Sequence, residues 1–263
     1  MSTWIWILIA IGAAILLLAV YSKSRGMFRR HNIEKLKRQA DLEGLIKLLS
    51  DTRIENRQAA AGAVNEILPS VQSPGWQRIM THLQGELEHW LTSGHSVYAS
   101  EEAQFLIKGL LKSGRPEADE FLWRLACFHF GPFGRWLAIS LEEMGSDSTE
   151  VLLSIVRHVP ANETAIKLAL PLLLKTGDLR AVNACLELYE QDDVIAKDHA
   201  IYYLKPFLRS HLTIVSSVDL QKLRRLEDFT GTHVDYHVYC GELRELATAE
   251  LQRRGEIRDA VSG

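Results

Sequence analysis

Four side chains near residue 235 have the types and the spacing that could hold a metal ion. The stretch GTHVDYHVYCGE contains His233, Asp235, His237 and Cys240. On a helix, His233, His237 and Cys240 lie at positions i, i+4 and i+7 and share one face, and imidazole and thiolate groups are common zinc ligands. The two tyrosines of the same stretch favour a second interpretation, a packed aromatic patch at the start of a helix. No distant ligand motif accompanies the cluster, so we expect no bound metal and no other cofactor.

The common catalytic motifs are absent from the sequence. It contains no Gly-rich phosphate loop, no GxGxxG, no GxSxG and no HExxH. These are the motifs of nucleotide-binding proteins, serine hydrolases and zinc proteases. We therefore predict that the chain is not an enzyme.

A second cluster of interest is aromatic. Around the sequence FHFGPFGRW lie Trp123, Phe128, Phe130, Phe133 and Trp136. Because aromatic and arginine side chains often dominate contacts between proteins, Phe133, Arg135 and Trp136 are candidates for binding a partner. The same rings often fill the layer between neighbouring helices, and the sequence leaves both interpretations open.

The elements that would position these residues are predicted to be helices. After residue 40, apolar residues recur at helical spacing, and no stretch alternates long enough to indicate a strand. Turn-forming residues interrupt the pattern at 51–54, 69–75, 113–117, 145–148, 176–178 and 230–232. The helices between them fall into pairs, whose first members are expected near 41–50, 76–92, 117–128, 149–158, 179–190 and 219–229.

An alanine recurs in the second helix of each predicted pair. The series is Ala60, Ala103, Ala138, Ala165, Ala200 and Ala247. The residue three positions before each alanine is polar, and in four of the six cases it is basic. A small side chain lets two helices approach closely, so these alanines are expected to pack against a partner helix. Pro171 and Pro206 each follow their alanine by six residues, where a proline is expected to kink or end the helix.

One of these units resembles a known repeat family. The stretch DLEGLIKLLSDTRIENRQAAAGAVNEIL resembles a HEAT repeat, in which a helix and a turn precede Arg-x-x-Ala-x-x-Ala-Leu on a second helix. The resemblance implies an all-α fold, a HEAT or armadillo-like α-solenoid of about six helix pairs over residues 41–257, with a tail at 258–263. Some HEAT-like enzymes hold a metal through His-Glu dipeptides, but no histidine here is followed by glutamate. The alternative is a non-repetitive helical domain in which the alanine spacing is accidental.

The N-terminal segment has a different character. The sequence WIWILIAIGAAILLLAVY covers residues 4–21 without a charge, and a helix of that length is about 27 Å long, close to the thickness of a bilayer core. Trp4 and Trp6 at one end and Tyr21 at the other have the positions of interfacial aromatic residues. A cleaved signal peptide is the alternative, but it needs basic residues before the apolar run and small residues after it. We therefore predict a single transmembrane helix ahead of the solenoid.

Basic residues crowd the segment that follows. The linker 22–40 contains Lys23, Arg25, Arg29 and Arg30. Because lysine and arginine favour the cytoplasmic side, they predict an outside N-terminus and a cytoplasmic C-terminal domain at the membrane. Setting the topology is the favoured role of these side chains, and contact with anionic lipid head groups is the alternative. The three widely spaced cysteines fit a reducing compartment.

The rest of the chain is acidic. Residues 39–263 contain 23 basic and 32 acidic side chains. Nucleic-acid binding depends on neutralising phosphates with lysine and arginine, so this balance argues against it. We expect a membrane-anchored scaffold or adaptor whose cytoplasmic HEAT-like repeats bind a protein partner. An enzyme or enzyme subunit that acts at the membrane, either metal-dependent or lyase-like, is the alternative.

Overall fold

Helices make up the regular structure in the part of the chain that the computed structural model describes. The described residues are 32–51, 53–71, 73–93, 101–127, 132–158, 162–227 and 236–257. No β-strand occurs among them, in agreement with the predicted all-α class. The described residues divide into two compact units: those of 32–89 and 101–113 form unit 1, and those of 90–93 and 114–257 form unit 2.

The predicted fold class needs one correction. No helix among the described residues is both long and apolar enough to cross a membrane. The fold that they show is therefore all-helical without the transmembrane helix that the sequence predicts ahead of it. The residues on which that prediction rested lie outside the described ranges: the segment 4–21 with Trp4, Trp6 and Tyr21, and the basic residues Lys23, Arg25, Arg29 and Arg30.

Four helices of the described chain lie wholly or largely in unit 1. After helical residues 32–38 come α1 (Leu42–Leu49), α2 (Ile54–Ile67), α3 (Ser73–Ser93) and α4 (Glu101–Ser113). Asp41 caps α1, because its carboxylate accepts a hydrogen bond of 2.9 Å from the Gly44 N–H. The central helix is α2, which packs against both α1 and α4.

Small residues let α2 and α4 approach each other closely. The buried face of α2 consists of Ala60, Ala61, Ala63, Val64 and Ile67. On the facing helix, a Cβ atom added at Gly109 would come within 2.9 Å of the Asn65 side-chain oxygen. A larger residue at Gly109, or at the buried alanines of α2, would hold the axes of α2 and α4 apart.

Unit 2 contains four helix pairs in two layers. The pairs are α5 (Asp119–Ala126) with α6 (Pro132–Met144), α7 (Thr149–His158) with α8 (Glu163–Lys175), α9 (Arg180–Tyr189) with α10 (Val194–His211), and α11 (Ser217–Arg224) with α12 (Tyr236–Arg253). Each helix packs against its pair mate. The first members, α5, α7, α9 and α11, also pack successively on one another and form a first layer. The second members, α6, α8, α10 and α12, do the same and form a second layer.

Local sequence signals fix where several of these helices begin and end. Asn162 accepts a hydrogen bond of 2.9 Å from the Ala165 N–H at the start of α8. Asp193 does the same for the Ala196 N–H at 2.9 Å at the start of α10. Gly177 follows α8 with a φ of 76°, in the left-handed region that glycine adopts at low cost. These caps satisfy backbone groups that a helix end would otherwise leave unpaired.

The two prolines do not end their helices. Helix α8 continues past Pro171 to Lys175, and α10 continues past Pro206 to His211. An interior proline removes one backbone hydrogen bond and costs about 3 kcal/mol. Residues beyond each proline are buried in the core, among them Leu173 in α8 and Leu208 in α10. Their burial stabilises the final turns against that cost.

The recurring alanines lie in the core with one exception. The buried members of the series are Ala60, Ala103, Ala165, Ala200 and Ala247. Ala138, in α6, is only partly buried. In unit 2, Ala165, Ala200 and Ala247 lie on successive helices of the second layer, where a small side chain allows close packing.

Candidate functional site

The candidate metal ligands lie mostly outside the residues that the structure describes. Cys240 is completely buried in α12, and an inward-facing thiol is poorly placed to bind an exchangeable ligand. His233 lies outside the described residues, and the side chain of His237 is not described either. Within the described ranges, no group of three or more histidine, cysteine, aspartate and glutamate side chains is close enough to share a metal ion.

The aromatic candidates lie in α6 and differ in exposure. Phe133 is only 1 % exposed, so its ring belongs to the core. Arg135 is exposed, and Trp136 is partly buried. The indole nitrogen of Trp136 is buried and has no hydrogen-bond partner among the described residues. The three side chains therefore do not form one exposed surface.

Exposed apolar side chains concentrate elsewhere, in α10 and the turn that follows it. Seven large hydrophobic side chains are exposed among the described residues, and two of them, Ile54 and Phe105, belong to unit 1. The other five lie between residues 194 and 218: Val194, Ile195, Tyr202, Ile214 and Val218. Scattered exposed apolar residues are normal on a protein surface, but a concentration of them indicates a binding site.

Helix α10 presents one stripe of mostly apolar residues to solvent. We call Ile195, Tyr202, Pro206 and Arg209 the α10 stripe, because all four are exposed and lie on one side of the helix. His199, between Ile195 and Tyr202 on that side, is buried. Tyr202 is the most prominent, with 51 % of its surface accessible. The opposite side of the helix carries the core residues, including Ala200, Leu204 and Phe207. A helix of this kind has apolar residues on both faces, although only one face is needed for the core.

Tyr202 belongs to a group of three neighbouring rings. The Tyr202 ring meets the Tyr203 ring edge to face, with centroids 5.0 Å apart. The Tyr203 ring in turn lies roughly parallel to the His199 imidazole at 6.0 Å. Rigid aromatic groups of this kind supply large contact areas at a low cost in side-chain entropy.

The charges beside this aromatic group are mostly paired. The Lys167 ammonium hydrogen-bonds the Glu163 carboxylate and thereby lowers its pKa, and the His199 imidazole nitrogen lies 3.6 Å from the same carboxylate. Burial lowers the pKa of His199, and the nearby Lys167 charge lowers it further. The imidazole is therefore uncharged at neutral pH, and it adds no charge to the surface next to Tyr202.

A second ion-pair group borders the stripe at its other end. The Glu242 carboxylate of α12 lies 2.7 Å from the Lys205 ammonium and 3.0 Å from the Arg209 guanidinium. The hydrogen bond from Lys205 lowers the pKa of Glu242. The Lys205 nitrogen also lies 3.8 Å from the centre of the Tyr239 ring. The stripe thus has an apolar centre and a charged border, which is the usual anatomy of a protein interface.

This surface was not among the sites predicted from the sequence. Its signal was present as Ile195, Tyr202 and Pro206 at helical spacing on the side opposite the predicted core alanine Ala200. Recognising it requires knowing which residues of α10 are covered by α8 and α12, and that depends on the stacking of the second layer.

Comparisons with known proteins give no family for the chain. No protein-family model, curated protein or solved structure matches it. The HEAT resemblance therefore stays a prediction from the repeat pattern, and the exposed surface of α10 remains the main indication of function.

Proposed function

We propose that this chain is a scaffold or adaptor that binds a partner protein on the α10 stripe. The second layer of unit 2 supplies a frame of successively packed helices around α10. Stacked helix pairs commonly use such a frame to present an extended binding surface. The mechanism is equilibrium binding, in which the partner covers apolar side chains that the isolated chain leaves in water.

The observation that carries the proposal is the exposure of Tyr202 and Ile195 on a helix whose opposite face carries apolar core residues. Covering a large apolar side chain is favourable by about 1.5–3 kcal/mol when it is fully buried. A few such residues at the centre of an interface often provide most of the binding free energy. The paired charges of Lys205, Arg209 and Glu242 suit a border, where polar groups fix the register of the partner.

The predicted membrane location is a separate matter. It depends on residues 4–21 and on the basic linker after them, which lie outside the described residues. The cytoplasmic placement of the C-terminal domain and the exclusion of nucleic acid as a partner likewise stay predictions from the sequence. The partner proposed here is a protein, wherever the chain resides.

Photo-crosslinking in cells that naturally produce the chain tests the proposal. A photoreactive amino acid replaces Tyr202 in the full chain, and a matched variant carries it at Arg224, which is exposed in the first layer. We expect a discrete protein adduct from position 202 and none from position 224. Adding Ile195→Asp should lower the yield of the adduct at least about tenfold, because it places a charge at the centre of the contact. The same adducts from both positions, or none from position 202, would contradict the proposal.

A further inference from the structure

A buried carboxylate in unit 1 has an unused hydrogen-bond acceptor. Glu102, in the first turn of α4, is only 3 % exposed. One of its oxygens accepts a hydrogen bond of 2.5 Å from the Arg57 Nε–H. The other, Oε2, is buried and has no hydrogen-bond partner among the described residues. An unpaired buried acceptor is unfavourable, so a group that donates to it would be bound preferentially.

Glu250 in unit 2 shows what complete pairing of a buried carboxylate looks like. It is 4 % exposed, similar to Glu102. One of its oxygens accepts hydrogen bonds from Arg253 at 2.6 Å and Arg254 at 2.8 Å, and the other accepts from Arg253 at 2.7 Å. Both oxygens of Glu250 are therefore occupied, whereas one oxygen of Glu102 has no donor among the described residues.

Glu102 forms part of the wall of a cleft. The cleft has a volume of about 350 Å³ and is also lined by Asp51, Arg57 and His82. Ligand pockets commonly have volumes of about 300–1,000 Å³, so this cleft lies at the small end of that range. Arg57 spans its wall, since its Nη1 atom also donates a hydrogen bond of 3.0 Å to the Asp51 carbonyl oxygen.

The charge of the lining favours a cation. Asp51 and Glu102 contribute two negative charges to the lining, and Arg57 contributes one positive charge. The C-terminal end of α1, at Leu49 and Ser50, also lines the cleft. Helix C-termini carry a partial negative charge that attracts cations.

We propose that this cleft binds an organic cation with N–H donors, an ammonium or a guanidinium group. The terminal torsion of a glutamate is broad, so the Glu102 carboxyl can turn to keep one oxygen on Arg57 and offer the other to the ligand. A divalent metal fits the lining less well, because the described residues bring no three metal-binding side chains together. The group is either the side chain of a lysine or arginine on another protein or a free amine.

Calorimetric titration of the full chain distinguishes these sources. The probes are the N-acetyl methylamides of arginine and lysine, the free amine spermidine, and the N-acetyl methylamide of norleucine as a neutral control. We expect at least one cationic probe to bind about ten times more tightly than norleucine, because a donor to the unpaired oxygen relieves its cost. Tight binding by the amino-acid amides assigns the site to a partner's side chain, and tight binding by spermidine alone assigns it to a free amine. Equal binding of the neutral probe would overturn the proposal.

Two variants and one spectroscopic measurement locate the binding. Glu102→Gln should weaken the cationic probe at least about tenfold, whereas Glu55→Gln, at an exposed position of α2, should change its affinity less than about twofold. If Glu102→Gln does not fold, NMR spectra of the unaltered chain test the location of the site instead. Its His82 NMR signals should move with the cationic probe and not with norleucine, while those of His158 in unit 2 stay unchanged. His82 signals that do not move with any cation would overturn the proposal.

Discussion

Among the described residues, Glu102 of unit 1 and Glu250 of unit 2 are both almost completely buried, and the two carboxylates are paired differently. In unit 2, Glu250 is surrounded by Arg253 and Arg254, and Arg254 also donates to the Thr213 carbonyl oxygen at 2.9 Å. Its charge therefore holds the end of α12 against the turn after α10. In unit 1, Glu102 pairs with one cation, its other oxygen is buried without a donor among the described residues, and the residue lines a polar cleft. Equal burial therefore does not imply equal hydrogen bonding. Both oxygens of Glu250 accept hydrogen bonds within the fold, whereas one oxygen of Glu102 has no donor among the described residues.

Both units expose large apolar side chains, Ile54 and Phe105 in unit 1 and a larger group between residues 194 and 218 in unit 2. Unit 2 leaves Tyr202 and Ile195 in water on α10 and links neighbouring helices through exposed ion pairs, such as Arg157 with Glu187. Exposed pairs of this kind contribute about 0–1 kcal/mol each, so the core and not the ion pairs must hold the layers together. The surface of α10 is then available for binding without loss of stability.

The largest expected effect is in unit 1. Arg57→Ala removes the cation that faces Glu102, and we expect the free energy of unfolding of unit 1 to fall by about 3 kcal/mol, since an uncompensated buried charge remains. Hydrogen exchange of the α2 and α4 amides, read by mass spectrometry, measures it. Arg253→Ala in unit 2 should cost less, because Arg254 still pairs with Glu250. Adding Glu102→Leu to Arg57→Ala should restore most of the loss, and no restoration would contradict the explanation.

A smaller effect is expected from enlarging the alanines of the second layer. Ala200→Leu forces extra volume into the close contact of α10 with its neighbours, and overpacking of this kind costs about 1–3 kcal/mol. Ala138→Leu is the control, since Ala138 is only partly buried, and it should cost less than about 1 kcal/mol. Urea unfolding followed by circular dichroism compares the two. Equal losses would mean that the alanine series has no packing role.

The next effect depends on pH and concerns unit 2. Hydrogen bonds from Arg253 and Arg254 lower the pKa of Glu250 to about 2. A carboxyl whose pKa is lower in the folded state stabilises the fold above its unfolded pKa of about 4.5, and that contribution is lost as the pH falls towards 2. Because Arg253 is largely exposed, solvent screens its attraction and reduces the effect. Thermal unfolding of Glu250→Gln should therefore show a shallower loss of Tm between these pH values than the unaltered chain, and parallel curves would contradict this.

The smallest effect is expected from an exposed ion pair within unit 2. Glu187→Gln removes the partner of Arg157, and both side chains are exposed. We expect a change in unfolding free energy of less than about 0.5 kcal/mol, measured as the coupling energy of a double-mutant cycle with Arg157→Gln. The coupling should vanish in about 1 M salt, where charges are screened within a few ångströms. A value above about 2 kcal/mol, well beyond the usual range for exposed pairs, would show that the ion pairs hold the helices together.

Much of the helical pattern could be predicted from the sequence. The first helices expected near 149–158 and 179–190 are α7 (Thr149–His158) and α9 (Arg180–Tyr189), because apolar spacing and Gly-containing turns are local signals. Each proline was expected to kink or end its helix, and both helices continue past it, because burial of the residues beyond a proline is a tertiary effect that local sequence does not record. The prediction of a transmembrane helix depended on residues 4–21, which lie outside the described residues.

The sites were less accessible to sequence reasoning. Phe133 was chosen for its residue type, yet its ring is buried, because exposure depends on which neighbouring helix covers it. The Glu102 cleft joins residues that are 45 positions apart, Arg57 and Glu102, and no local spacing records such a contact. The α10 stripe has a visible period, but only the stacked neighbours show that it faces solvent.

Hydrogen–deuterium exchange of the full chain, with and without the protein crosslinked from position 202, tests the central claim most directly. If the α10 stripe is the binding surface, the partner should slow exchange in peptides that cover residues 194–211, and peptides from α9 and α11 in the first layer should exchange as before. Ile195→Asp should abolish that protection without changing exchange in the free chain elsewhere in unit 2. Protection confined to the first layer, or unchanged exchange throughout α10, would contradict the account.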